Sequence, residues 1–299
     1  MLNKDILERI GLDKYLENGV IKTLDSSTKI CVDVGLSENA NNSGVWIHND
    51  PSRCVIGIEP LKHNWDGLHG KHDWQPDRKE DPSTGWPGIR LNTNSIIIKG
   101  KNVIDIKDKF FALECAIDNI ETPEIKSFYH MEEEGSSSLL KPSDKHTSSI
   151  KTMENVQCVS LSSVFDYIDW EKFKFIERLK IDCEGHDFEV LKSAEKYFDK
   201  IIFISFEMSQ FNEGHWENHY DFKEASQYMK DKGFECFAYD GGDIYFVNYK
   251  FLQYARVMHW TRHTGILVHP NSSVFLPQFI LHPLTGQTYY SDFLMEAPQ

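Results

Sequence analysis

Seven short apolar runs recur along the chain: "KICVDVG" at 29–35, "CVIGIEP" at 54–60, "FFALECAID" at 110–118, "RLKIDCEG" at 178–185, "KIIFISFE" at 200–207, "GFECFAY" at 233–239 and "DIYFVN" at 243–248. Runs this short and this continuously apolar suit strands buried on both faces, which means a mainly parallel sheet covered by helices. The stretches between several of them carry helical periodicity. In "DFEVLKSAEKYFD" Phe188, Leu191, Ala194 and Phe198 share one face, opposite Lys192, Glu195 and Lys196. "HYDFKEASQYMKDKGF" repeats the pattern, with Gly233 placed to end the helix, and "LSSVFDYIDW" predicts a third. The last two runs flank "DGGD", whose glycines allow positive φ, so they predict an antiparallel hairpin at the end of a seven-stranded α/β sheet with helices on both faces.

Two regions break the alternation. Residues 61–109 hold Trp65, Trp74 and Trp86 with His63, His69 and His72, and read as an insertion between the second and third strands. Residues 250–299, rich in aromatics and proline, read as an extension covering one domain that spans 1–249. The three tryptophans are candidates for a platform under a sugar ring, or for anchors of the insertion.

A formal net charge of −14, without a dense cluster of lysine and arginine, argues against a nucleic-acid partner. No apolar run has the length of a membrane span, and the first residues lack the apolar core of a secretory signal, so no membrane partner and a cytoplasmic location are expected. Six cysteines without a C-x-x-C pair read as free thiols.

In an open sheet of this kind, ligands lie beyond the carboxyl ends of the strands. The first strand ends in Asp33 and Gly35, and the second in Glu59, where a carboxylate can accept both hydroxyls of a ribose. Only Gly35 stands where a dinucleotide fingerprint needs three glycines, and no phosphate-binding loop occurs anywhere. A ligand with a ribose, an amino-acid group and no phosphate satisfies these residues, and S-adenosylmethionine is one. A nucleotide-linked oxidoreductase is the alternative from another enzyme class, disfavoured by the missing glycines. A non-catalytic binding module of the same fold is a third reading.

The segments "VDVG", "GIEP", "ALECAID", "EEEGSSSLL", "VQCVSLSSVFDYI", "RLKIDCEGHDFEVLKSA" and "IIFISFE" follow one another as in the FkbM-type S-adenosylmethionine-dependent methyltransferases, which the chain resembles over about residues 29–210. The resemblance implies a Rossmann-like class I methyltransferase fold and methyl transfer to a hydroxyl, often on a sugar or polyketide. A small-molecule or glycan acceptor is then expected. Asp33 and Gly35 are expected at the methionine part of the cofactor, Glu59 at its ribose, and Ala116, Ile117 and Asp118 around its adenine. Ser137, within "GSSSLL", is expected to cover it. After "VDVG" the family continues Ala-Asn-x-Gly, whereas this chain has "LSENANNSG", so Ser37 and Asn39 are the expected substitutes.

Deprotonating an alcohol calls for a base near the transferred methyl, and Asp182, Glu184 and His186 are the candidates. A divalent cation held by Asp182 and Glu207, at the ends of neighbouring strands, is the second arrangement. Asp187 reads as a helix-starting residue, where negative charge is favoured.

Overall fold

The computed structural model describes residues 1–71, 87–98, 101–133, 135–207, 214–217, 220, 222–239 and 243–251, with the strand backbones of 259–260, 267–268, 279–281 and 288–290. Trp74, Trp86, His72 and most of the 250–299 extension lie outside the described residues.

The main sheet has seven strands: β1 (Lys29–Val34), β2 (Arg53–Ile58), β3 (Phe110–Leu113), β4 (Ile176–Ile181), β5 (Ile201–Glu207), β6 (Phe234–Tyr239) and β7 (Asp243–Asn248). Their order is β3-β2-β1-β4-β5-β7-β6. Neighbours from β3 to β5 pair in parallel, while β7 is antiparallel to both β5 and β6, so the sheet is mixed. The turn joining β6 and β7, residues 240–242, lies outside the described residues. Strand order reverses between β1 and β4, and that switch point is where a crevice opens.

Helices α1 (Asn41–Asn49), α2 (Lys62–Leu68), α3 (Leu161–Phe165), α4 (Asp187–Lys192) and α5 (Phe222–Asp231) follow or precede these strands. Two apolar clusters cover the sheet. The larger joins Val32, Ile56, Phe165, Leu191, Phe206 and Phe246, and the smaller joins Cys31, Trp46, Val55, Trp65, Ile89 and Phe110. α4 is shorter than its periodicity predicts, because the chain tightens after Ala194 into a 3₁₀ turn at Glu195–Lys200, which still buries Phe198. All six cysteines are free.

Three details differ from the sequence reading. The run "FFALECAID" is not one strand: β3 ends at Leu113, and Ala116–Ile117 joins a second, three-stranded sheet with Glu124–Met131 and Ile150–Val159. The exposed Glu114, whose amide is held by the Ile10 carbonyl, marks the break. The long antiparallel pair Glu124–Met131 and Ile150–Val159 is polar and exposed for much of its length, which hid it from an apolar-run reading. The insertion is also more regular than its composition suggests: Gly88–Arg90, Ser95–Ile98 and Lys101–Asp105 form an antiparallel sheet, with Ile89 and Ile96 buried in the smaller cluster beside α1.

Candidate active site

The carboxyl ends of β1, β2, β4 and β5 bring most of the predicted residues to one edge of the sheet. After β1, Gly35 has φ +85°, and a Cβ built on it would stand 2.0 Å from the Asp182 carbonyl oxygen. Only glycine permits that approach, so the loop after β1 and the loop after β4 are in backbone contact. Ser37 and Ala40 are also left-handed. The loop is held from three sides. Gly35 donates to the Ile58 carbonyl, the Ser37 amide to Glu59 Oε2 at 3.0 Å, and the Ile89 amide to the Asn39 carbonyl at 2.8 Å. Arg90 Nη1 donates to Asn39 Oδ1 at 3.0 Å, so the insertion bolts down the loop that departs from the family pattern.

Glu59 is buried at the end of β2, and its Oε1 accepts from the Leu61 amide at 2.9 Å. Burial pushes its carboxyl up to about 7, against the pull of the surrounding amides. Asp33 is buried, with Oδ2 accepting from Ser43 Oγ at 2.6 Å and Oδ1 lying 3.8 Å from Lys180 Nζ. Its side chain therefore braces β1 from within the core. Trp65 is 4% exposed, and its indole N–H donates to the Glu59 carbonyl at 2.7 Å. This corrects the platform reading for Trp65: its ring, on the buried side of α2, is packed in the core and has no face to offer a sugar.

The ends of β4 and β5 are built differently. Ligand atoms of Asp182, Glu184 and Glu207 all lie within 4.8 Å of one another. Parallel pairing sets Ile181 against Phe206, which leaves Asp182 and Glu207 side by side as each strand ends. Glu184 joins them through an uncommon turn, with φ +50° at Glu184 and +88° at Gly185. Asp187, the first residue of α4, locks that turn by accepting the Cys183 amide at 3.1 Å and the Gly185 amide at 3.0 Å. Burial first, and then the neighbouring carboxylates, push both Glu184 and Glu207 well above the ordinary range. Lys180 Nζ donates to Asp182 Oδ2 at 2.9 Å. Burial alone would lower this ammonium, but Asp182 and Asp33 outweigh it and hold the group charged.

His186 stands apart from the acid group. Its Nε2 meets Asp118 Oδ1 at 3.0 Å, across 68 positions of sequence, while its Nδ1 is buried without a hydrogen-bond partner among the described residues. Asp118 also accepts from the Asn119 amide at 2.7 Å and from Lys126 Nζ at 2.5 Å. Ala116 is buried with Leu61 in a small apolar cluster that the half-buried Ile120 and Leu139 flank, and Ile117 packs into the main core. Ser137 Oγ accepts the Met131 amide at 3.3 Å, whereas the buried Ser138 donates to the Cys183 carbonyl at 3.3 Å. The serine run thus reaches the β4 loop through Ser138. Sequence reasoning included Ser138 only within the 136–139 run and passed over Lys180 and Arg90. Lys180 alone had a usable signal, as a charged residue two positions before Asp182 on the same face of an apolar strand.

A family model for the methyltransferase FkbM domain matches residues 42–236. The chain belongs to the FkbM methyltransferase family. The match begins within the segment 36–44, after Gly35, Ser37 and Asn39. Comparison with curated proteins and with solved structures gave no match. Among the described residues, no helix is long and apolar enough to cross a membrane.

Proposed function

We propose that this methyltransferase uses S-adenosylmethionine to methylate a hydroxyl group of a small molecule, most readily a sugar or glycoconjugate. The observation that carries this reading is the backbone contact between the Gly35 loop and the loop after β4, which sets the expected cofactor loop beside the Asp182–Glu184–Glu207 carboxylates. The residues fit the cofactor. Gly35 lets the loop after β1 meet the Asp182 backbone, Glu59 stands buried at the end of β2 where a ribose is expected, and the apolar cluster at Leu61 and Ala116 lies next along the chain from Glu59.

When bound, the cofactor supplies an electrophilic methyl group on a positively charged sulfur. Glu184 takes the role of general base, and Glu207 shares its proton load. A carboxylate whose pKa is raised by burial and like charge is a stronger base once ionised. Lys180 holds Asp182 in place and ties it to Asp33 in β1. Asp187 fixes the turn and takes no proton from the acceptor. The roles of Ser37 and Asn39 are to shape the loop over the methionine end.

Transfer of a labelled methyl group from S-adenosylmethionine onto a panel of glycans tests the reading. Label on a hydroxyl, lost in Glu184→Gln, supports it, and no transfer to any acceptor together with no cofactor binding refutes it. A second reading is favoured by the spacing of the same three carboxylates: a divalent cation bound by Asp182, Glu207 and Glu184 would lower the acceptor's pKa instead. Activity that is lost in EDTA and restored by Mg²⁺ or Mn²⁺ selects that arrangement, and activity indifferent to EDTA removes it.

A further inference from the structure

The ladder that pairs β4 with β5 ends at Ile181 and Phe206, just short of the carboxylates. Carboxylates within 4.8 Å of one another repel whenever more than one is ionised, so the turn and the strand end that bear them part unless they are held. Asp187 fixes the Glu184 turn from inside, and Lys180 bonds Asp182. Neither of these bonds reaches Glu207.

Two hydroxyls from outside the sheet meet the two ends. The buried Ser138 donates from Oγ to the Cys183 carbonyl at 3.3 Å, gripping the peptide that leads into Glu184. Tyr220 donates from its phenol to the Glu207 carbonyl at 2.6 Å, and its ring lies 5.5 Å from that of Phe188 in α4. The segments that carry these hydroxyls are distant in sequence, yet they pair with each other. Ser143 donates its amide to the His215 carbonyl at 2.8 Å, and Glu217 donates its amide to the Lys141 carbonyl at 2.9 Å. Ser143 Oγ donates to the Gly214 carbonyl, and Lys141 Nζ meets Glu217 Oε1 at 2.8 Å. Trp216 is buried in this ribbon, with the His146 ring edge-on at 4.6 Å.

The antiparallel pairing fixes the ribbon's direction. Ser138 stands three residues before Lys141 and Tyr220 three residues after Glu217, so both hydroxyls lie at the same end of it. A closed circuit results, running from the Glu184 turn through Ser138, the ribbon and Tyr220 to Glu207, and back through the β4–β5 ladder. We propose that Ser138 and Tyr220 are positioning residues which, through the ribbon between them, hold Glu184 and Glu207 together where the cofactor's sulfonium is expected. The inference rests on the reading above that these carboxylates work at the transferred methyl.

Titration calorimetry with S-adenosylmethionine and S-adenosylhomocysteine tests it, because only the first carries the positive charge that the carboxylates would meet. Tyr220→Phe, which removes one oxygen, should weaken S-adenosylmethionine by roughly 3- to 10-fold, the range of one lost hydrogen bond, and leave S-adenosylhomocysteine unchanged. A variant that merely loosens the fold weakens both ligands alike. That result, or no change in either, overturns the inference. Ser143→Pro opens the circuit at the ribbon by removing the amide that bonds His215, and should shift the same ratio. An unshifted ratio in a folded Ser143→Pro protein contradicts the circuit. Ser138→Ala combined with Tyr220→Phe should lose little more than either change alone, since a circuit opened once is already open, and additive losses count against it.

Two controls keep this inference apart from the reading beneath it. If Glu184→Gln and Glu207→Gln leave the wild-type ratio intact, the carboxylates do not meet the sulfonium and both fail. If they lower the ratio and Tyr220→Phe does not, this inference alone fails. A wild-type protein that binds neither ligand refutes the cofactor itself.

Discussion

The two halves of the strand edge are built on opposite principles. At the ends of β1 and β2, the acids are mostly matched: Asp33 Oδ2 takes the Ser43 hydroxyl and Glu59 holds the Ser37 and Leu61 amides, while Asp33 Oδ1, 3.8 Å from Lys180, is left without a hydrogen-bond partner among the described residues. At the ends of β4 and β5, three carboxylates crowd together, one is borne on a left-handed residue, and Lys180 bonds only Asp182 of the three. Matched polar groups make a rigid seat, which suits the uncharged parts of a ligand. Crowded acids are a local cost, of the kind proteins retain where chemistry requires it. The difference suggests that the β4–β5 side is completed by an incoming positive charge or by a proton from the acceptor.

The largest expected effect breaks the seat. Gly35→Ala would drive a methyl group into the Asp182 carbonyl, so cofactor binding should vanish in calorimetry. Retained binding would mean that the two loops are not in working contact. On the other side, Glu184→Gln should lower methyl transfer by roughly 100-fold or more, the range typical of removing a general base. Glu184→Gly should be as inactive yet more stable. It relieves about 1 kcal/mol of left-handed strain and removes a like charge, raising the melting temperature by roughly 2–4 °C. A less stable Glu184→Gly protein would contradict the strained-turn account.

Smaller effects sharpen the contrast through pH. A buried carboxyl with a raised pKa binds its proton more tightly folded than unfolded. The stability it lends is present below the unfolded value and is lost as pH rises through the folded one. Glu59 moves from 4.5 to about 7 and Asp187 from 3.8 to about 6, with Glu184 and Glu207 raised as well. The ligand-free protein should therefore lose stability between about pH 5 and pH 8, by ~2 kcal/mol for Glu59 alone. Glu59→Gln should flatten that slope in urea titrations, and an unchanged slope would refute the burial argument. The smallest change is expected from Trp65→Phe. It should cost ~1 kcal/mol through the lost bond to the Glu59 carbonyl, with no change in acceptor KM. A raised KM for a sugar would restore the platform reading.

Much of this was legible before the fold was known. Continuous apolar runs located the core strands, and the acids at their ends are the residues that the proposed site uses. The seat was the easier half, because Gly35 and Glu59 terminate strands and need only the general rule about strand ends. What stayed hidden depends on contacts across the sheet. A run such as "FFALECAID" carries no mark of where its pairing passes from one sheet to another. Glu184 enters the acid group through a positive φ that its residue type does not announce. His186 and Asp118 each looked like a site residue, but nothing local says that one occupies the other. Arg90 reaches the Asn39 loop from an insertion that composition presented as irregular.

The most direct test compares two ligands that differ by one methyl group and one positive charge. Titration of S-adenosylmethionine and S-adenosylhomocysteine at pH 6.5 and 8.5 should show both binding. The cationic ligand should gain affinity as pH rises and should release protons from Glu184 and Glu207, while its neutral product should change little. Absence of binding, or the same pH dependence for both ligands, would contradict the account.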